Sequence, residues 1–279
     1  MNKLIPTLQE GKAIFGNFVL AGAVGPAKQA SASGWDFVIF EMKYSGPELE
    51  LSLQFLLDRR QILAEGSLAP PIVPMARIPA NGEEMNAWTI KHSLDQGVYG
   101  IVFPHISTVE AARHAIAYSR YAQAAGAPDM EPAGHRGVAP TNAQRWWGIP
   151  DFKEYHRRAD LWPLDPDGEL MAWIVIEDEE GIKNLPEILR QVKVSAVIGS
   201  EVDLSTNMGL PGGRLAPEVE ANLQKILEIG KQFRVPVGAL ATRDNVERRV
   251  REGYQIMITG DPVAIDLGRK AAARAAGAR

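Results

Sequence analysis

The sequence predicts an α/β fold of the (β/α)8 (TIM) barrel type, formed by residues 1–279 as a single domain. Eight short runs are almost continuously apolar, as parallel strands covered on both faces must be. Each leads into a stretch with helical periodicity. Acids, an arginine and a histidine collect just past the ends of these runs, on the rim where such barrels place their chemistry. A doubly wound open sheet is the runner-up architecture.

Composition narrows the possible partners. With 46% apolar and 23% charged residues the chain can bury a large core, although composition alone does not choose between one α/β domain and two. A net charge of -4 with interspersed signs gives no basic stripe for nucleic acid. Having no cysteine excludes disulfides, thiolate ligands and a Cys nucleophile. No apolar run approaches the roughly 20 residues of a membrane helix, and MNKLIPTLQEGK lacks a signal-peptide core, so a soluble, cytoplasmic protein with a small-molecule substrate is expected.

A short N-terminal helix precedes the first strand, FVLAGAVG (18–25), which is backed by the small-residue helix GPAKQASASG. FVIFEM (37–42) follows, leading through KYSGP into a helix over ELELSLQFLLDRRQILAEG. PIVPMARI (71–78) pairs with the helix EEMNAWTIKHSLDQG, where Gly97 suits a C-cap, and GIVFPH (100–105) with TVEAARHAIAYSRYA. Residues 122–170, rich in Gly, Pro, Trp and charge, break the rhythm between the fourth and fifth units. A connection so long is either functional or carries small helices, and it is expected to cover a site as a lid. Trp146, Trp147 and Trp162 within it are expected to pack rather than to stack on a ligand. The fifth unit is AWIVIEDEEGIKNLPEILRQ, and the sixth runs from AVIG through SEVDLSTNMGLPGG to PEVEANLQKILEIGKQF. VPVGAL with TRDNVERRVREG and QIMITG with DPVAIDLGRKAAARAA complete the eight.

The strand ends put Glu41, Lys43, Tyr44, Arg77, His105, Glu177, Asp178, Glu201 and Asp203 on one rim. Glu177 and Asp203 end consecutive strands, which lie roughly 4.8 Å apart when paired. Two carboxylates so placed can grip one divalent cation; as acids opening a helix they can equally be caps.

ARIPANGEEMNAWTIKHSLDQGVYGIVFPHISTVEAARHAI, GHRGVAP, IEDEEGIKNLPEIL and VIGSEVDLSTNMGLPGG, in that order, resemble four segments of the HpcH/HpaI aldolases. These are metal-dependent pyruvate aldolases acting on 4-hydroxy-2-oxo acids, and the likeness covers nearly the whole chain. It implies Mg2+ or Mn2+ on Glu177 and Asp203, with Arg77 stabilising the keto oxygen as pyruvate becomes its enolate. It also implies substrate contacts from Ser200, Glu201 and Val202, which flank the metal acid with one residue more than the family has, and from His135 in the GHRG loop. Glu179, Glu180 and Glu201 read as solvated on residue type alone, and Asp178 stands where the family has Thr.

The acid/base half departs from the pattern. In FEMKYSGP, Lys43 replaces the family's Glu and Tyr44 its base His, and Val175 stands where the family has Gln. Three residues are open as proton carrier: Tyr44 if cations lower its pKa from about 10, His105 with an intrinsic value near 6.5, or Lys43 as a Schiff-base amine. The expected activity is carbon–carbon cleavage of a 2-oxo acid to an enolate and an aldehyde. Decarboxylation, or bond formation from the enolate, is the second reading and a catalytically silent ligand-binding homologue the third. The resemblance also implies a homohexamer that exchanges its Ala-rich C-terminal helix.

Overall fold

The computed structural model describes residues 2–21, 33–43, 70, 72–79 and 86–277. Eight parallel strands close into a barrel: β1 (Ile14–Leu20), β2 (Phe37–Glu41), β3 (Val73–Arg77), β4 (Gly100–Phe103), β6 (Leu170–Ile176), β7 (Ala196–Gly199), β8 (Val237–Leu240) and β9 (Ile256–Ile258), with β9 returning to β1. Pairing of β4 with β6 shuts the ring and rules out the open sheet. A two-residue strand, β5 (Leu161–Trp162), extends the start of β6.

The strands are buried along nearly their whole length because helices cover the outside and side chains fill the inside. The first begins at Ile14, four residues before the expected start. Gly16 and Asn17 look like strand breakers in sequence, yet Gly16 is required there: a Cβ would stand 2.1 Å from the Phe37 carbonyl oxygen on β2.

The outer layer follows α1 (Leu4–Gln9) with α2 (Ala87–Gln96), α3 (Val109–Ser119), α4 (Thr141–Trp147), α5 (Phe152–Arg158), α6 (Glu179–Gln191), α7 (Glu201–Asn207), α8 (Pro217–Phe233), α9 (Val246–Glu252) and α10 (Pro262–Gly277). Asn86 and Thr108 cap α2 and α3 by accepting from the third residue on, and Gly97 ends α2 at φ 108°. The helices expected after the first two strands fall largely on residues 22–32 and 44–69, outside the described set. No helix among the described residues is long and apolar enough to cross a membrane.

Residues 122–170 pack against the N-terminal ends of the strands in this chain. Trp147 donates its indole N–H to the Gly97 carbonyl at 3.0 Å and stacks on Tyr99 at 4.4 Å, just before β4. Buried Arg120, at the end of α3, grips Asp160 through two bonds of 2.6 and 2.9 Å. Ser195, just before β7, accepts from the Ala172 N–H at 2.9 Å and donates to the Trp162 carbonyl, which ties β5 into the wall. A groove of about 670 Å³ between Tyr121, Met130, Phe152 and His156 belongs to this lower end. The aromatic residues are packing groups, as expected, and none of them walls the mouth.

Because Trp147 is fully buried and fills the junction of insertion and barrel, Trp147→Ala is expected to cost about 3–5 kcal/mol. Urea unfolding followed by circular dichroism should show one cooperative transition at a lower midpoint. Two separated transitions would mean that the insertion is a unit of its own.

Candidate active site

The register of β2 and β3 sets Glu41 opposite Arg77. Arg77 donates to Glu41 Oε2 while its guanidinium lies 4.2 Å over the Phe18 ring, on β1. A guanidinium bound to a buried carboxylate and stacked on a ring has little orientational freedom. The other oxygen, Glu41 Oε1, accepts the backbone N–H of Lys43 at 2.7 Å. One acid therefore fixes both the arginine and the turn that carries the lysine.

On the neighbouring strands, His105 follows β4 by two residues and Glu177 follows β6 by one. His105 has φ 51°, a left-handed conformation that is uncommon outside glycine. Its N–H donates to Glu177 Oε1 at 2.9 Å, and its Nε2 lies 3.4 Å from the same oxygen. Asp203 comes from the first turn of α7, after β7, which pairs directly with β6 as the spacing predicted. Ligand atoms of His105, Glu177 and Asp203 all lie within 4.8 Å of one another. Lys43 reaches the same point, its Nζ 3.0 Å from His105 Nε2, 3.3 Å from Asp203 Oδ2 and 3.9 Å from Glu177 Oε1.

Burial dominates the electrostatics. Glu177 is 1% exposed, and burial, reinforced by nearby Asp203, pushes its carboxyl up to about 7 against the pull of Lys43. For Asp203 burial pushes the same way, but sharing a proton with Glu177 and facing Lys43 outweigh it, so the net direction is down. The two acids titrate as a pair, with burial pushing Glu177 up and the contacts to Glu177 and Lys43 pulling Asp203 down. Burial, then Lys43, lowers His105, which favours the neutral imidazole. Glu177 Oε2 is buried with no hydrogen-bond partner among the described residues, and an oxygen so left calls for a cation or a proton.

Of the residues singled out in the sequence, Lys43, His105, Glu177 and Asp203 converge, with Arg77 near enough to add to the lowering of His105. Tyr44 lies outside the described residues. Ser200 N–H bonds the Ile176 carbonyl at 3.3 Å, and Val202 is half exposed. Glu201 is buried rather than solvated, and its carboxyl is pushed up by that burial. None of these three side chains hydrogen-bonds the cluster among the described residues.

His135 lies apart from the cluster in this chain. It is exposed at the lower end, its N–H on the Ala117 carbonyl at 2.7 Å and its ring beside Tyr118. The loop is pinned there because Gly134 passes against the backbone of Tyr121 and Arg136 is buried on Asp95 at 2.8 Å. Asp178 is the N-cap of α6, accepting from Gly181 N–H at 2.6 Å and from the Ser107 hydroxyl. The sequence reading noticed Glu41 but missed its grip on Arg77. The usable signal was an acid and an arginine ending adjacent strands.

A family model described as HpcH/HpaI aldolase/citrate lyase matches residues 15–263. The 4-hydroxy-2-oxo-heptane-1,7-dioate aldolase of Escherichia coli is 27% identical over 278 residues, 99% of this chain and 94% of that one. A solved HpcH/HpaI aldolase/citrate lyase family protein from Burkholderia cenocepacia J2315 superposes with a TM-score of 0.73 at 24% identity, covering 100% of both chains. The citrate lyase beta subunit from M. tuberculosis, solved with oxaloacetate and magnesium, shares the fold at a TM-score of 0.58 and 13% identity, over 94% of this chain and 97% of that one.

Folded Glu177 keeps its proton to about pH 7, whereas an unfolded glutamate releases it near 4.5, so the metal-free protein loses stability as pH rises through that window. Glu177→Gln removes this loss, roughly 3 kcal/mol for a rise from 4.5 to about 7. Its urea midpoint should match wild type near pH 5 and exceed it near pH 8; equal midpoints near pH 8 would refute the raised carboxyl.

Proposed function

The chain belongs to the HpcH/HpaI aldolase/citrate lyase family, and on that footing we propose that it is a carbon–carbon lyase cleaving a 2-oxo acid through an enolate at this rim. The observation that carries the reading is the convergence of two acids and an imidazole within 4.8 Å, beside an arginine already locked in orientation. The two carboxylates suit Mg2+ or Mn2+, Glu177 with a buried oxygen that lacks a partner among the described residues, and the neutral imidazole of His105 stands beside them. When bound, such an ion supplies Lewis-acid polarisation of the substrate's keto oxygen.

The chain's own residues supply the rest. Arg77 faces the charge that grows on the keto oxygen, and because Glu41 and Phe18 already hold it, little reorganisation accompanies the reaction. His105, neutral and half-buried, accepts the proton of the substrate's 4-hydroxyl. The bond between C3 and C4 then breaks, its electrons move toward the keto oxygen, and the aldehyde leaves. Protonation of the enolate at C3 gives the shorter 2-oxo acid. The similarity to an aldolase of 4-hydroxy-2-oxo-heptane-1,7-dioate points to substrates with a hydroxyl at that position.

Decarboxylation of an oxaloacetate-like acid is the second reading. Lys43 and Tyr44 stand where the resemblance expects an acid and a base, and loss of CO2 forms the enolate with no base at all.

Pyruvate release, followed by coupled NADH oxidation, separates these readings when 4-hydroxy-2-oxo acids and oxaloacetate are offered to one preparation. Chelation should abolish turnover reversibly, and Asp203→Asn should lose both Mn2+ binding and activity. His105→Ala is expected to lower kcat by about 10²–10⁴ with Mn2+ affinity unchanged. A parallel loss of Mn2+ affinity would make His105 a ligand instead of the base. Turnover of no 2-oxo acid would leave the silent-homologue reading.

A further inference from the structure

We propose that Lys43 is the resident cation of this cluster and competes with the divalent ion for the same position. The inference rests on the metal reading above and concerns how that site is regulated. The ammonium touches the donor set from inside, 3.0 Å from His105 Nε2 and 3.3 Å from Asp203 Oδ2, with Glu177 Oε1 at 3.9 Å. Its side chain is only 12% exposed. Glu177 is buried and Asp203 about one-third exposed, and acids drawn out of water in this way need a counter-charge. Lys43 supplies one, and its backbone is fastened at the rim by Glu41.

Two cations do not fit together. Donor atoms within 4.8 Å of one another enclose room for a single ion, and a divalent metal sits about 2.0–2.6 Å from oxygen ligands, inside the volume the ammonium now fills. Metal entry therefore requires Lys43 to swing away, and the lost ion pairs are subtracted from the metal's affinity. The same exchange keeps the acids compensated when metal is scarce, so the site need not collapse or protonate fully. Lysine suits this role because its flexible stem lets a compact charge leave without disturbing the backbone.

The test is Mn2+ binding, measured by calorimetry and electron paramagnetic resonance without substrate. Lys43→Met and Lys43→Gln should each bind Mn2+ at least about tenfold more tightly than wild type, and adding Asp203→Asn should abolish the gain. Binding by wild type equal to that of both variants, and dependent on Asp203, would overturn the competition while leaving the metal reading intact. Absence of Mn2+ binding in every protein would overturn both. A second readout needs no substitution. Acetylation of Lys43 in the native protein, mapped by mass spectrometry, should rise when saturating Mn2+ is added. Unchanged labelling under saturation would also overturn the proposal, whether or not the variants fold.

Discussion

A carboxylate that is 1% exposed must meet positive charge or keep its proton, and Glu177 imposes that choice on the whole barrel mouth. Its Oε1 gathers the His105 N–H, the His105 ring and the Lys43 ammonium, while Oε2 has no partner among the described residues. The left-handed backbone of His105 follows from the same demand, because turning its N–H onto Glu177 compensates a conformation that a non-glycine residue otherwise avoids. Asp203, less buried and facing Lys43, is pulled down while burial pushes Glu177 up.

The two ends of the barrel are built on different terms. Below, ion pairs are closed and aromatic residues are stacked: Arg120 on Asp160, Arg136 on Asp95, Trp147 on Tyr99. Arg120 meets Asp160 through two bonds and also donates to the Met130 and Pro132 carbonyls at 3.0 and 2.6 Å, so it fastens that end. Above, one proton is shared between two acids and one lysine is shared among three acceptors. Charges shared in this way leave room for a ligand at the mouth.

Much of the fold was legible because parallel strands covered on both faces write themselves as apolar runs; WIVI and AVIG needed no partner to be recognised. The start of β1 was hidden by Gly16, whose necessity comes from the approach of Phe37, a contact between strands that periodicity does not encode. Glu177 and Asp203 were legible as a pair since β6 and β7 are consecutive neighbours in the barrel. Likeness of a segment conveys its order along the chain but not which end of the barrel it reaches, so the position of His135 and of residues 122–170 at the lower end of this chain was not legible. The grip of Glu41 on Arg77 depends on strand register, and register is set by the closed ring as a whole.

Glu41 stands beside the cluster without belonging to it. One of its oxygens holds Arg77 and the other holds the backbone of Lys43, so a single buried carboxylate sets two cations around the cleft without neutralising both. Arg77 meets Glu41 through its charge; Lys43 meets it through its backbone N–H, and its ammonium faces Glu177 and Asp203. The arginine is thereby made rigid and the lysine kept movable. A rigid donor suits an oxyanion, whose position is fixed by the bond that breaks. A movable ammonium suits a site that must exchange its cation. The departure from the family pattern at FEMKYSGP thus places a second positive group where an acid is expected, directly against the retained acids, so the change in strand two bears first on the cation site and only then on proton transfer.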